Sequence, residues 1–388
     1  MPELTRASFL TGVASALAAP PGSGAPPARV PLAVRNNRVY ATFEVATPGG
    51  TRDPVEFNID TGGGSVVIAR RTANRLGLKL RPAAPASGAP RPFVPVELDA
   101  VYVAGVRIAF PGAFTTVADT DRFSPPGASP GFFPGAFLGD HAVTYDYLGG
   151  TLTLDGPPLD GGAELPVKID EKSGFPRVEL TIDGTAYGFL LDTGASFTML
   201  SRAVVRLLHE RHPDWPYRVG AYGPANMQGG PETGAAMMRL RDVRWGGIAV
   251  GDVDVVTRET GTFEQYMSRL TAGNIVGALG GNLLRNVAFR LDYAHSRLAV
   301  RYERRPRPDE LTVVPLILQP REDGTFVVSG GAAADSLSGK QLISVDRRPV
   351  AGLTLDEVQQ LLRGPVGTTR SIEVSGERPV DREIAAIL

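Results

Sequence analysis

The stretches Val55-Glu56-Phe57-Asn58-Ile59-Asp60-Thr61-Gly62 and Phe189-Leu190-Leu191-Asp192-Thr193-Gly194 each carry an apolar segment into the same triplet. Val55, Phe57 and Ile59 alternate as on one face of a strand, and Phe189 to Leu191 form the continuous apolar run of a buried strand. Asp and Gly are turn formers, so each triplet predicts a strand that ends at a turn and holds an aspartate there. Upstream, 38–46 and 54–59 read as two strands around a Gly-rich turn. In the second half, 177–182 and 186–191 flank Asp183-Gly184, a dipeptide suited to the positive backbone angles of a two-residue hairpin turn. Two hairpins thus deliver two aspartates.

Outward from the triplets the order repeats. Short helices are predicted at 71–76 and 202–210, the second with Ser201 as N-cap. The first half closes with Phe137-Leu138-Gly139-Asp140, Tyr145-Asp146-Tyr147 and the alternating Thr151-Leu152-Thr153-Leu154; the second closes with Ala278-Leu279-Gly280, Leu291-Asp292-Tyr293 and Arg297-Leu298-Ala299-Val300. An internal duplication accounts for this order, with a decayed or purely structural duplication as the alternative to a working pair of aspartates. On these residues the chain resembles the retropepsin-like aspartic peptidases over 32–303. Their signature is a hydrophobic pair, Asp-Thr-Gly and a later hydrophobic-hydrophobic-Gly.

The resemblance implies a mostly β, two-lobed aspartic-peptidase fold, with lobes at 32–158 and 159–303 meeting in a monomeric catalytic unit. It implies Asp60 and Asp192 as the catalytic pair. Two carboxylates within hydrogen-bonding distance cannot both ionise cheaply, so they share one proton and activate a water between them. Thr61 and Thr193 match positions whose hydroxyls interlock beneath such a pair, and Gly62 and Gly194 let backbone amides approach the carboxylates. Ser196, in Ala195-Ser196, is expected to hydrogen-bond its aspartate. The first copy reads Gly63-Gly64-Ser65 instead, which leaves Asp60 with less support and the shared proton expected there. Protein or peptide substrates would cross a groove between the lobes. Either 81–95 or 218–234, the latter containing Tyr222 as a flap candidate, is a covering hairpin or a surface loop. The Pro- and Gly-rich segment 123–134 carries no signal of its own.

Other chemistries fit poorly. The chain has no cysteine and only four histidines. His209 and His212 are one residue short of the helical spacing of a zinc peptidase motif, and His141 and His295 stand alone, so no metal or other cofactor is expected. There is no Gly-x-Ser-x-Gly elbow and no phosphate-binding loop. With 43% hydrophobic residues, 21% charged residues and a formal net charge of -1 over 388 residues, the composition is that of an ordinary globular chain with no electrostatic case for nucleic acid. No stretch is apolar for long enough to predict an integral membrane segment.

Residues 1–31 combine a short apolar stretch from Phe9 with Ala16-Leu17-Ala18 and a Pro-rich tract. They read as a signal peptide and leader for a periplasmic or secreted protein, or otherwise as a cytoplasmic tail. Residues 304–309, with Pro306 and Pro308 among arginines, read as a linker. Beyond it, 310–388 resembles a small α+β PDZ-like domain. The strand Thr325-Phe326-Val327-Val328, the stretch Gly339 to Asp346, a helix over 354–363 and a strand over 371–374 follow in that family's order. The resemblance implies a groove for a C-terminal peptide ligand, with a small domain packed on the lobes as the alternative. Besides a peptidase, the sequence is compatible with a catalytically inactive peptide-binding or assembly protein that uses the same grooves.

Overall fold

The computed structural model describes residues 27–81, 93–108, 116–119, 131–220, 232–303, 312–321 and 323–388. The architecture is mostly β. Arg38–Ala46 and Arg52–Asp60 form a hairpin in which Tyr40 faces Asn58 and Phe43 faces Val55. The predicted alternation holds on the second strand, because Val55, Phe57 and Ile59 are buried with Phe43 and Val45 in one core. Pro176–Ile182 and Thr185–Leu191 form the second hairpin. Asp183 and Gly184 both have positive φ at its turn, 49° and 70°, as a tight right-twisted hairpin demands.

Each hairpin then enters the same set of pairings. Arg52–Asp60 runs parallel to Gly131–Pro134, which is antiparallel to Val66–Ala69, which is parallel to Thr116–Asp119. Thr185–Leu191 runs parallel to Gly277–Leu279, which is antiparallel to Thr198–Ser201, which is parallel to Ile248–Arg258. Among the described residues these belong to sheets of nine and eight strands.

The register corrects one sequence match. Phe133 lies opposite Ile59 as Leu279 lies opposite Leu191. The counterpart of Ala278-Leu279-Gly280 is therefore Phe132-Phe133-Pro134, and Phe137-Leu138-Gly139 belongs to the following short helical turn Gly135–Leu138. Proline in place of the glycine, at the end of a Gly- and Pro-rich run, concealed a strand. Gly131 is required there by close packing, since a Cβ on it would sit 2.6 Å from the Val67 carbonyl oxygen.

A six-stranded sheet joins the halves, in the order Ala28–Pro31, Thr151–Leu154, Ala142–Asp146, Val287–Asp292, Arg297–Tyr302 and Ala163–Leu165. At its centre the two closing strands pair antiparallel, Ala142 with Asp292 and Asp146 with Ala288. Tyr145 stacks on Phe289 across this seam with ring centroids 4.7 Å apart. The helices form at Arg70–Arg75 and Arg202–Arg211, and the Ser201 hydroxyl accepts from the Ala203 amide as an N-cap.

The C-terminal unit is α+β with a core of its own, including Phe326, Val328, Leu342, Val358, Ile372 and Ile384. Its strands run in the order Ile317–Pro320, Phe326–Gly330, Gln341–Val345, Thr369–Val374 and Val380–Glu383. The helix Leu355–Leu361 opens with a capping box between Thr354 and Glu357. That helix touches the first half of the chain, where Asn36 Nδ2 donates to Asp356 Oδ1 and Gln359 Oε1 at 2.9 and 3.0 Å. The linker at 304–309 lies outside the described residues. Among those described, no helix is long and apolar enough to cross a membrane.

Candidate active site

Both aspartates end their strands at the seam between the halves. The turn after each folds its amides back onto the carboxylate: the Gly62 amide donates to Asp60 Oδ1 at 2.9 Å, and the Gly194 and Ala195 amides donate to Asp192 Oδ1 at 2.9 and 3.0 Å. Beneath them the two threonines interlock. The Thr61 hydroxyl donates to the Leu191 carbonyl and accepts from the Thr193 amide at 3.0 Å, while the Thr193 hydroxyl donates to the Ile59 carbonyl at 2.6 Å and accepts from the Thr61 amide at 3.1 Å. Both threonines are fully buried, so these four reciprocal bonds have no competing water and tie one half to the other.

The glycines show how near the carboxylates are. A Cβ on Gly194 would lie 2.5 Å from Asp60 Cγ, and one on Gly62 would lie 3.1 Å from Asp192 Cγ. Each triplet's glycine thus faces the other half's carboxylate, and any larger residue would push the pair apart. The two carboxyls lie close enough across this gap for each to act on the other's ionisation. Each still keeps part of its surface open to solvent.

Burial is the main force raising both carboxyls above their ordinary value of 3.8. Asp192 is pushed well above it, because the charge on Asp60 opposes a second ionisation. Asp60 rises less: besides the Gly62 amide, the hydrogen bond with Asp192, the Arg38 cation and the Gly63 amide favour its charged form. The pair thus favours one proton held between two carboxyls, with the charged form of Asp60 the better supported. The Gly63 amide, which donates to the Asp60 main-chain carbonyl at 3.2 Å, adds to that support. Ser196 does not support Asp192 in this way. Its hydroxyl is buried with no hydrogen-bond partner among the described residues, and its carbonyl is held by the Asn282 amide at 3.0 Å.

These shifts carry a stability consequence. A carboxyl whose folded value is raised gives its full contribution below its unfolded value near 4, and that contribution is lost as pH rises through the folded value. Asp192→Asn is expected to raise the melting temperature at pH 7, with the gain vanishing as pH falls to about 4, at about 1.4 kcal/mol for each unit by which the group is raised. Melting curves of both proteins across pH 4–8 measure it.

Three residues absent from the sequence-based site belong to this seam. Arg38 biases the pair, and nothing in its local pattern marked it. Tyr145 and Tyr293 are buried next to the pair, and burial keeps their hydroxyls protonated well beyond the neutral range. The Asp-Tyr repeats signalled their position but not their depth. A Cβ on Gly135 would come within 2.7 Å of both Tyr293 Oη and Thr61 Cγ2, which places that ring against the threonine interlock.

Tyr222 and most of both flap candidates lie outside the described residues. Their flanks are antiparallel arms: Leu80 bridges Val96, and Tyr217–Val219 pairs with Ala236 to Met238. The histidines take local carboxylate partners, His141 with Asp155, His212 with Asp183 and His295 with Asp292. No group of side chains suited to a metal ion occurs among the described residues.

No curated protein matches the sequence. Among solved structures, basic 7S globulin from soybean aligns over 71% of this chain and 95% of its own, at 13% identity and a TM-score of 0.42. A family model described as aspartyl protease matches residues 178–282, the stretch that contains Asp192-Thr193-Gly194 and Leu279-Gly280. That stretch of the chain is an aspartic-protease-like domain.

Proposed function

We propose that the chain is an aspartic endopeptidase in which two duplicated lobes, 32–158 and 159–303, contribute Asp60 and Asp192 to one dyad. The observation that carries this reading is that each triplet's glycine packs against the other half's carboxyl, above four reciprocal threonine bonds. Such an arrangement holds one proton for two acids and leaves an unlike pair, one basic and one acidic. Asp60, the member whose charge is better supported, takes a proton from a water as that water attacks a peptide carbonyl. Asp192 donates its proton toward the carbonyl oxygen, so charge developing there is met by an acid already in place. The tetrahedral adduct then collapses with proton transfer to the leaving nitrogen. No covalent bond to the protein forms. In this reading an extended polypeptide would cross the seam between the halves, which makes proteins or peptides the substrate class.

The C-terminal unit, 310–388, is read as a PDZ-like module. In that reading Ile317–Pro320 is an edge strand, since among the described residues its one ladder is with Phe326–Gly330, and a bound peptide strand would pair along its other side.

The test is the pH dependence of peptide-bond hydrolysis in an unfolded protein mixture, with new termini identified by mass spectrometry. The reading predicts a bell-shaped profile. Its acid limb follows ionisation of Asp60, and its basic limb, set by loss of the Asp192 proton, lies above the ordinary carboxylate range. A flat profile, or no cleavage at any pH, removes the peptidase reading.

A further inference from the structure

We propose that the segment Ala385–Leu388, at the end of the C-terminal unit, forms a wall of the substrate groove and sets how far a peptide can extend past the dyad on the Asp192 side. The proposal rests on the groove assigned above. It starts from an unexpected seat: Ile387 is 4% exposed and is buried among Phe197, Ala235, Met237 and Val256, with Val313, Met199 and Leu388 packed around them.

These neighbours are not a remote patch. Phe197 follows the Asp192 turn by a few residues, and its carbonyl lies against Gly280, where a Cβ would come within 2.4 Å. Met199 stands on the next strand and also packs on the cluster of Phe175, Leu190 and Phe263. Ala235 precedes and Met237 lies on Ala236–Trp245, the strand that pairs with Tyr217–Val219. The opposite arm holds the segment too, since Arg218 Nη1 donates to the Ala386 carbonyl at 2.9 Å. A two-strand ladder, Thr312 with Ala386 and Val313 with Ala385, fixes its course. The segment is thus clamped between the chain that leaves the dyad and the base of a hairpin, where the outer residues of an extended peptide would otherwise find an apolar recess. Isoleucine and leucine fill that recess as peptide side chains would.

The C-terminal unit is in this account part of the groove. With the recess filled from within, residues of a peptide far from the scissile bond on this side gain nothing, so affinity should stop rising with length. Ile387→Asp puts an unpaired carboxylate into the recess and expels the segment. Ile387→Ala serves where the first variant fails to fold.

The experiment measures binding of reduced-amide peptides, which cannot be hydrolysed, lengthened stepwise on either side of the replaced bond. For the wild-type chain, affinity is expected to level off at short length on one side. For Ile387→Asp it is expected to keep rising there by about tenfold over the next two residues, with short peptides unchanged. An Ala-Ala-Ile-Leu peptide should produce saturable shifts in NMR spectra of the variant and none in those of the wild type. The same plateau in wild type and both variants overturns the proposal. Absence of cleavage together with a shifted plateau would remove the peptidase reading while leaving the wall in place.

Discussion

Asp60→Asn and Asp192→Asn are each expected to lower peptide hydrolysis by about 10³-fold, within the range that general acid-base groups supply. The two losses arise differently. An amide at position 60 cannot accept a proton from water, so the nucleophile is never generated. An amide at position 192 still donates a hydrogen bond, but it cannot pass a proton on or share one. Because the pair acts as a unit, the double variant should be scarcely worse than either single one. The assay is cleavage of an unfolded protein mixture at the pH optimum, with melting temperatures to show that each variant folds. Full activity in either variant would mean that the two aspartates do not work together. In the proposed function one chain supplies both aspartates, so specific activity should also be independent of protein concentration.

Thr61→Val is expected to destabilise the fold by about 2–5 kcal/mol, a large share of the about 5–15 kcal/mol that holds a typical protein together. Valine fills the space of threonine but removes the hydroxyl that accepts from the Thr193 amide and donates to the Leu191 carbonyl. Two buried backbone groups lose their partners at once, and each costs about 1–3 kcal/mol to leave unpaired. The loss falls on the seam between the lobes, so spacing of the carboxyls should suffer along with stability. Thr193→Val removes the mirror pair of bonds and should behave alike. Thr61→Ser keeps the hydroxyl and should recover most of both properties. Chemical unfolding of the three variants separates these outcomes, and a Thr61→Val chain as stable as wild type would show that the interlock contributes little.

Local chemistry made much of this readable beforehand. Asp183-Gly184 marks its own hairpin because positive φ is cheap for those residues, and alternation at Val55, Phe57 and Ile59 marks a buried strand face because side chains leave a strand on alternate sides. Other features depended on contacts that no local pattern encodes. Phe132-Phe133-Pro134 carries no local mark of its role because proline stands where glycine is expected; the parallel register with Ile59 is a long-range fact. Position after the triplet assigns Ser196 to its aspartate, whereas its carbonyl accepts from the Asn282 amide on a distant helix. Neighbours in sequence leave Asp60 with little support for its charge, whereas Arg38 and the Gly63 amide support it through space. Burial of Ile387 beside Phe197 joins positions at opposite ends of the second half and the C-terminal unit, which only the folded chain brings together.

Carbon-13 NMR of the aspartate carboxyls, titrated from pH 2 to 8, tests the dyad without relying on turnover. Two resonances, assigned by Asp60→Asn and Asp192→Asn, should titrate in two linked steps, with the Asp192 step displaced well above the ordinary carboxylate range and falling once Asp60 is replaced. Two independent titrations near pH 4, each unaffected by loss of the other residue, would contradict the account.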